Sequence, residues 1–145
     1  MKRLLLTAFL MSGCAASAPV TKSDAPPKSL YDRLGGKDAI TAVVADFVDN
    51  RIAKDDRINA RFANSDLGHL KAMLVEQICE ASGGPCKYSG KDMKTVHTGM
   101  KITDEEFNAL VEDLGASLNQ FKVPDAEQKQ LVGALAPMRP DVVNQ

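Results

Sequence analysis

Apolar side chains recur every three or four residues through most of this 145-residue sequence, which is the spacing of an amphipathic α-helix. Long helices are predicted in this way over about 37–52, 67–82 and 104–121, and onward from Pro124. Their apolar positions, in chain order, are Ile40, Val43, Val44, Phe47 and Val48; Leu67, Leu70, Leu74, Ile78 and Ala81; Phe107, Leu110, Val111, Leu114, Leu118 and Phe121; and Leu131, Val132, Leu135 and Met138. No stretch alternates with a period of two for long enough to predict a strand, so the sequence predicts an all-α domain.

Capping residues mark where these helices begin. Ser65 or Asp66 can cap the second long helix, because a short polar side chain there accepts a hydrogen bond from a free backbone amide. Thr103 and Glu106 have the spacing of a capping box at the start of the third. Single helical turns are also predicted over 30–34 and 58–62.

One of the two histidines, His97, lies near the end of a short helix predicted over 91–98. Gly99 would end this helix in the left-handed conformation. Met93, Val96 and His97 stand at i, i+3 and i+4 and therefore share one face, which can pack against a flat apolar object that carries a metal. A single histidine in the last turn of a helix is also often a solvated residue, and the spacing is no defined metal signature, so both interpretations stay open here.

The first residues indicate export. A basic start, the apolar run 4–11 and small residues after it form a secretory signal over 1–13, too short to span a bilayer. Met11 to Cys14 resembles the lipobox of bacterial lipoproteins, which implies that Cys14 carries a lipid. Residues 14–28, rich in Ala, Pro, Ser and Lys, read as a flexible linker before a domain over 29–143. We expect a membrane-anchored lipoprotein on the periplasmic side or at the cell surface; cleavage nearby to give a free periplasmic protein is the alternative.

The net charge limits the kinds of partner that we expect, and the length limits the number of domains. Removing Lys2 and Arg3 with the signal leaves 16 of the 18 basic residues against 19 acidic ones, a net charge near −3. A nucleic-acid partner would need a basic face, so none is expected. The remaining length suits one domain with a single core.

Cys79 and Cys86 lie seven positions apart and bracket a Gly-rich turn. In an exported protein such a pair is expected to form a disulfide; the alternative is one buried and one free cysteine. The short loop limits the gain to about 2–3 kcal/mol in the chain-entropy model. Its use would be to pin the helix 67–82 to the loop that leads to His97. No fourth ligand is apparent for a metal site made from these cysteines and the histidine.

Several short motifs occur in an order that resembles the truncated haemoglobins of group I. They are Leu30–Gly36, Val43-Val44, Asp46-Phe47 and Asp55–Ile58; Gly83–Pro85, Tyr88–Gly90, Met93 and His97; and Ile102-Thr103, Phe107, Val123-Pro124 and Ala136-Pro137. The resemblance covers about 29–143 and implies a two-over-two helical sandwich that holds one haem b. His97 would be the proximal ligand of the iron. The sequence lacks a Cys-x-x-Cys-His motif, which agrees with a haem held without thioether links.

The resemblance also implies which side chains surround the haem. The candidate apolar walls are Phe47, Phe62, Leu70, Leu74, Met93, Val96 and Phe107. Lys71 or Lys94 could pair with the propionates, although a surface lysine is usually only solvated. The second nitrogen of His97 should bond to one of the free carbonyls in the last turn of its helix.

The distal side departs from the family. Val48 stands where the family commonly has a tyrosine that donates to bound oxygen, and Leu70 and Leu74 replace polar residues. A hydrogen bond to a charged group is worth about 1.5–3 kcal/mol, so its loss should speed oxygen release. This argues against oxygen storage and nitric-oxide dioxygenation. An extra residue is also present near 49–50.

Two residues could compensate for the missing polar groups on the distal side. Gln77 could turn its amide toward the ligand. Met73 could coordinate the iron as a sixth ligand, and its other interpretation is flexible pocket lining. The other histidine, His69, is expected to face solvent.

The main hypothesis is a haem protein, rather than an enzyme, that reversibly binds a diatomic gas (O2, NO or CO) as a carrier or sensor; no catalytic residue is assigned. One alternative is an enzyme of the nitric-oxide dioxygenase or peroxidase type. The other is an electron-transfer protein using His97 and Met73, since a His–Met pair raises the reduction potential. Either alternative would involve a redox partner.

Overall fold

Six α-helices make up most of residues 26–145, the part of the chain that this computed structural model describes. They are α1 Leu30–Arg33, α2 Gly36–Asp46, α3 Leu67–Ala81, α4 Met93–His97, α5 Asp104–Gln120 and α6 Asp125–Leu135. Within these residues the strand-like contact is one isolated parallel bridge between Ile102 and Val143, so the all-α prediction is confirmed. The predicted signal segment, Cys14 and most of the linker lie outside the described residues. In 26–145, no helix is both long enough and apolar enough to cross a bilayer.

α3 and α5 begin directly after the capping residues that the sequence predicts. At α3 it is Asp66 that accepts the hydrogen bond, from the backbone amide of His69 at 3.0 Å. Thr103 and Glu106 form the expected capping box at α5. A second capping box, between Ser29 and Asp32, begins α1.

The core lies between two helix pairs. α2 packs against α3, and α5 packs against α6 and against the helical turn that follows α2. The largest fully buried side chains on these elements are Val44, Val48, Ile52, Cys79, Ser117, Leu118 and Leu131. On α3 the buried residues are Val75, Ile78 and Cys79, whereas Leu70 and Leu74 of the predicted apolar stripe are only half-buried. α3 therefore has one fully buried apolar side and another whose leucines pack at the margin of the core.

The helix predicted over 37–52 is not regular along its whole length. It changes at Phe47–Arg51 into a π-helical turn, followed by a 3₁₀ turn over Ile52–Lys54. The amide of Ile52 donates to the carbonyl of Phe47, five residues back, as well as to that of Val48. A π turn holds one residue more than an α turn, so it can accommodate the extra residue that the sequence predicts near 49–50.

Asp46 stabilises this π turn from its N-terminal side. Its carboxylate accepts hydrogen bonds from Asn50 Nδ2 at 3.0 Å and Arg51 Nε at 3.4 Å. It also accepts one at 2.8 Å from the hydroxyl of Ser117, a fully buried residue of α5. Partial burial acts to raise the pKa of Asp46, but these hydrogen bonds outweigh it and hold that pKa below its ordinary value.

α4 is shorter than the predicted 91–98. It runs over five residues, because Asp92 acts as its N-cap and accepts a hydrogen bond from the amide of Thr95 at 2.9 Å. Gly99 follows the helix with φ +82°, the left-handed conformation expected of it.

Candidate functional site

The residues predicted to surround a cofactor differ in burial in an informative way. Phe47 and Val48 are buried, with 3% and 0% of their surface exposed, and Val96 is exposed at 39%. The other eight are half-buried: Phe62, Leu70, Met73, Leu74, Gln77, Met93, His97 and Phe107. Of these candidates, Val48 and Phe62 line a cavity in the structure, which is described below.

His97 has the hydrogen bond expected of a metal-ligating imidazole. Its Nδ1 lies 2.8 Å from the backbone carbonyl oxygen of Met93, one turn earlier on α4. A carbonyl only accepts, so Nδ1 donates in this contact, and Nε2 is the ring nitrogen left for a metal. Residues 26–145 contain no group of three or more His, Cys, Asp or Glu side chains that could hold a metal ion. A single imidazole held in this orientation suits a metal whose other ligands come from a cofactor.

Val48 and Phe62 meet at a cavity of about 350 Å³ next to the π turn. Its lining is mostly apolar and small: Val48, Ile52, Ala53, Asn59, Ala60, Phe62, Ala63, Ser65 and Leu67. Val48, the residue predicted to stand where the family commonly has a tyrosine, is fully buried. Because Leu70 and Leu74 also lack polar atoms, none of these distal candidates can donate a hydrogen bond to a ligand.

The side-chain amide of Gln77 contacts two methionine sulfurs. Its amide nitrogen lies 3.4 Å from the sulfur of Met93 and 3.2 Å from that of Met138, so it joins α3 to α4 and to the 3₁₀ turn Ala136–Asp141. Met73 is half-buried on the preceding turn of α3. The structure thus brings Gln77 and Met93 together and directs the amide of Gln77 at sulfur atoms.

The candidate propionate partners differ in their contacts. Nζ of Lys71 lies 3.0 Å from both carboxylate oxygens of Asp49 on the π turn. Lys94 is exposed and takes part in none of the ion pairs formed within 26–145. His69 is exposed, as expected.

Three contacts near the site have no signal in the sequence. The guanidinium of Arg139 lies 4.8 Å from the centre of the Phe107 ring and pairs with Asp104. Met138 contacts Gln77, as described above. Glu76 and Glu80 bond to the loop before α4. Periodicity identifies the side of a helix that faces the core, but not which distant loop or turn its polar side meets.

Cys79 and Cys86 form the disulfide that the sequence favoured over a free pair, with their Cα atoms 5.7 Å apart. Cys79 is fully buried in α3, and Cys86 lies in the loop that leads to α4. Gly84 between them is closely surrounded, since a Cβ there would lie 2.5 Å from the ring of Tyr31 and 2.7 Å from the sulfur of Cys79.

Residues 29–144 match the family model of the bacterial-like globins. The chain belongs to the group 1 truncated haemoglobins. It is 36% identical over 118 residues to the group 1 truncated haemoglobin of Mycolicibacterium paratuberculosis, covering 81% of this chain and 86% of that protein. It is also 36% identical to the group 1 truncated haemoglobin of Synechocystis sp., over 81% of this chain and 98% of that one.

Solved structures of this family have the same fold. The truncated haemoglobin of Tetrahymena pyriformis in its Fe(III) form superimposes with a TM-score of 0.77 at 30% identity, over 81% of this chain and all of that one. The 2/2 haemoglobin of Synechococcus sp., solved in the cyanomet state with a covalently attached haem, gives 0.74 at 29% identity, again over 81% and 100%. This truncated haemoglobin is therefore a haem-binding globin with the two-over-two arrangement of helices.

Proposed function

We propose that this truncated haemoglobin holds a haem b through His97 and reversibly binds a diatomic gas on the opposite side. The observation that carries the proposal is the hydrogen bond from His97 Nδ1 to the carbonyl of Met93, which leaves Nε2 free as a ligand. When bound, the haem supplies an iron with one coordination position open to a gas. Protein side chains supply the remaining contributions, which are the apolar surface around the haem and the partners of its propionates.

The fit between these residues and a haem is good on the proximal side. Met93 and His97 are half-buried on one face of α4, and Phe107 is half-buried near the start of α5. Phe62, Leu70 and Leu74 supply apolar surface from the other side and exclude water. Of the two candidate lysines, Lys94 is the better partner for a propionate, because Lys71 is already bonded to Asp49.

The haem is proposed to be held without a covalent link. The sequence contains no Cys-x-x-Cys-His motif, and Cys79 and Cys86 are bonded to each other, so neither offers a thiol. The remaining histidine of the described residues, His69, is exposed on α3. Extraction into acidic butanone tests this: a non-covalent haem leaves the protein, and a covalent one stays with it.

The distal side favours a gas that needs no hydrogen bond. Val48, Leu70 and Leu74 carry no donor, and the amide of Gln77 is directed at the sulfurs of Met93 and Met138. We therefore expect fast release of O2, and binding of CO and NO that depends little on distal polarity. Storage of O2 is disfavoured for the same reason.

Reconstitution with haemin tests the assignment. The purified domain should bind one haem, and its ferrous form should show a five-coordinate spectrum that changes reversibly on adding CO. His97→Ala should abolish the proximal bond, whereas His69→Ala, the matched control, should change nothing. A wild-type protein that stays colourless, or His97→Ala with an unchanged spectrum, would overturn the proposal. A six-coordinate ferrous spectrum lost in Met73→Ala would replace it by the His–Met electron-transfer alternative.

We further propose that the protein is exported and anchored through a lipid on Cys14. The lipobox-like Met11 to Cys14 supports this, as does the Cys79–Cys86 disulfide, because such bonds persist in oxidising compartments. Metabolic labelling with an alkyne palmitate should mark the wild type and not Cys14→Ala, which should remain in the unprocessed form. Equal labelling of both would contradict the assignment.

A further inference from the structure

The position of α4 is not set by burial of its own side chains. None of its five residues is buried; Met93 and His97 are half-buried, and the rest are exposed. A helix this short is not stable by itself, because nucleation is costly and few hydrogen bonds repay it. Since α4 carries the proposed iron ligand, contacts with the rest of the protein, including those at the two ends of the helix, determine where His97 stands.

The loop over 82–92 ties the N-terminal end of α4 to α3, and we refer to this loop as the strap. Glu76 of α3 accepts two hydrogen bonds from Ser89, from the amide at 2.9 Å and from the hydroxyl at 2.7 Å. One turn later, Glu80 accepts a hydrogen bond from the amide of Tyr88 at 3.1 Å and pairs with Lys87. These bonds lower the pKa of both glutamates, so both are ionised acceptors at neutral pH.

The disulfide is the third link and lies between the two glutamates along α3. It joins Cys79 to Cys86 near the beginning of the strap. The strap then continues to α4 through Tyr88, whose hydroxyl donates to the carbonyl of Lys91 at 3.0 Å. Asp92, the next residue, is the N-cap of α4. A continuous series of contacts therefore runs from α3 to the first turn of α4.

The C-terminal end of α4 is held separately. The guanidinium of Arg61 donates to the carbonyl of Met100 at 2.9 Å, and the amide of Lys101 donates to the carbonyl of Gln145 at 2.9 Å. Neither contact involves α3 or the strap. Loss of the strap contacts would thus loosen the N-terminal end of α4, where the contact of Gln77 with Met93 would remain as the link to α3, while the C-terminal end stays anchored.

We propose that Glu76 and Glu80, with the Cys79–Cys86 disulfide, are positioning residues that fix His97 against α3 through the strap. The inference rests on the proposed function, because it takes His97 as the iron ligand. α3 carries the distal candidates Leu70, Met73 and Leu74, so the strap sets the separation between the two sides of the pocket. Opening the disulfide or removing the carboxylates would let α4 shift and would move His97 relative to α3.

The test compares Glu76→Ala, Glu76→Gln and a control, Glu127→Gln. Glu127 also accepts a hydrogen bond that joins two elements, from Nε of Arg33 at 3.1 Å between α6 and α1, away from the strap. In the haem-free protein, hydrogen exchange over 86–98 should be faster in Glu76→Ala than in the wild type or the control. Glu76→Gln keeps an acceptor oxygen for Ser89 and should restore most of the protection.

The haem-bound protein supplies a second readout that lost stability alone would not change. In Glu76→Ala the Fe–His stretching band of the ferrous form should shift or broaden, and the CO association rate should change by about threefold or more. Cys86→Ala, which leaves the buried Cys79 in place, should act in the same direction. The control should match the wild type in both measurements.

The outcomes separate this inference from the proposed function. Wild-type exchange, band position and CO kinetics in both Glu76→Ala and Cys86→Ala would overturn the role of the strap while leaving His97 as the ligand. The same changes in Glu127→Gln would overturn it too, because they would then reflect general stability. Failure of the wild type to bind haem through His97 would instead overturn the proposed function.

Discussion

Met93 and His97 stand one turn apart on α4, and the carbonyl oxygen of the first lies 2.8 Å from Nδ1 of the second. This contact holds the ring in one orientation and one tautomer. If His97 supplies the iron ligand, His97→Gly leaves a space that free imidazole can occupy. We expect His97→Gly to lose the wild-type ferrous spectrum and to regain it on adding millimolar imidazole.

The matched variant for that experiment is His69→Gly on α3. His69 is exposed, so its removal should leave the spectrum unchanged with or without imidazole. A His97→Gly protein that keeps the wild-type spectrum in buffer alone would show that another group ligates the iron.

A hydrogen-bond donor placed on the distal side should slow the release of O2. Val48→Tyr restores the residue type common in the family, and a hydrogen bond worth about 1.5–3 kcal/mol corresponds to dissociation about 10- to 100-fold slower. Replacement of O2 by CO in a stopped-flow instrument measures the rate. Val48→Phe has similar bulk without the hydroxyl and serves as the control. Equal rates for these two variants would show that the position does not face the bound gas.

Replacing Gln77 should have little effect on O2 release. The amide contacts the sulfurs of Met93 and Met138, at 3.4 and 3.2 Å, so Gln77→Leu removes a link between helices rather than a donor to the gas. We expect the dissociation rate to stay within about twofold of the wild type, and the melting temperature to fall slightly because the contact is lost. Faster release by tenfold would instead mean that Gln77 turns toward the ligand when the protein binds it.

Asp46 should contribute stability that depends on pH. Its pKa is lowered in the folded protein, so its contribution is fully present above about pH 4, the unfolded value, and is lost as the pH falls through the lower folded pKa. Asp46→Asn should reduce the free energy of unfolding by about 1–3 kcal/mol at pH 7, because it weakens the bonds to Arg51 and buried Ser117. Urea unfolding at pH 7 and near pH 3 measures both effects.

The difference between Asp46→Asn and the wild type should shrink at the lower pH. Asp141→Asn, at an exposed carboxylate of the last 3₁₀ turn, is the control. It should leave the free energy of unfolding nearly unchanged both at pH 7 and near pH 3. A constant difference for Asp46→Asn across this range would show that its charge does not stabilise the π turn.

Gly84→Ala should be among the more destabilising single-methyl changes in the chain. The added Cβ would lie 2.5 Å from the ring of Tyr31, 2.7 Å from the sulfur of Cys79 and 2.8 Å from the backbone oxygen of Cys79. Two of these neighbours belong to the disulfide-bonded end of α3 and have little freedom to move. We expect a loss of about 1–3 kcal/mol, measured as a lower melting temperature.

Gly133 gives the matched control for that substitution. A Cβ there meets nothing within 4 Å, and the residue lies inside α6. Gly133→Ala should therefore stabilise the protein by about 0.5–1 kcal/mol, since alanine favours a helix more than glycine does. A melting temperature for Gly84→Ala equal to that of the wild type would show that the Gly83–Pro85 turn can relax.

Local patterning was sufficient to predict where the long helices lie and the capping residues of α3 and α5, but not the capping box of α1 or the cap of α4. Thr103 with Glu106, and Asp66, are local signals that tertiary contacts did not override. The ends of α4 were less predictable, because Asp92 begins the helix two residues after the loop glycine at Gly90 and the sequence contains equally suitable caps nearby. Val96 is exposed although its spacing places it on the same face as Met93 and His97, so the spacing alone did not predict its burial.

Long-range contacts could not be read from the sequence. The apolar stripe of α3 correctly included Ile78 but missed Val75, because α3 has apolar residues on two sides and periodicity does not say which one meets α2. The bonds from Glu76 and Glu80 to the strap were also missed. A glutamate on a helix looks the same in sequence whether it meets water or a backbone amide from a distant loop.

The π turn over Phe47–Arg51 has a consequence for changes in the length of its helix. One residue added to or removed from a regular helix rotates all later side chains by about 100° about the axis, which would turn a packed side outward. The wide turn holds one residue more than an α turn, and Ile52 just beyond it is 1% exposed. Deleting Asn50 should therefore convert this stretch into a regular α turn and leave the buried position of Ile52 and the residues that follow it unchanged.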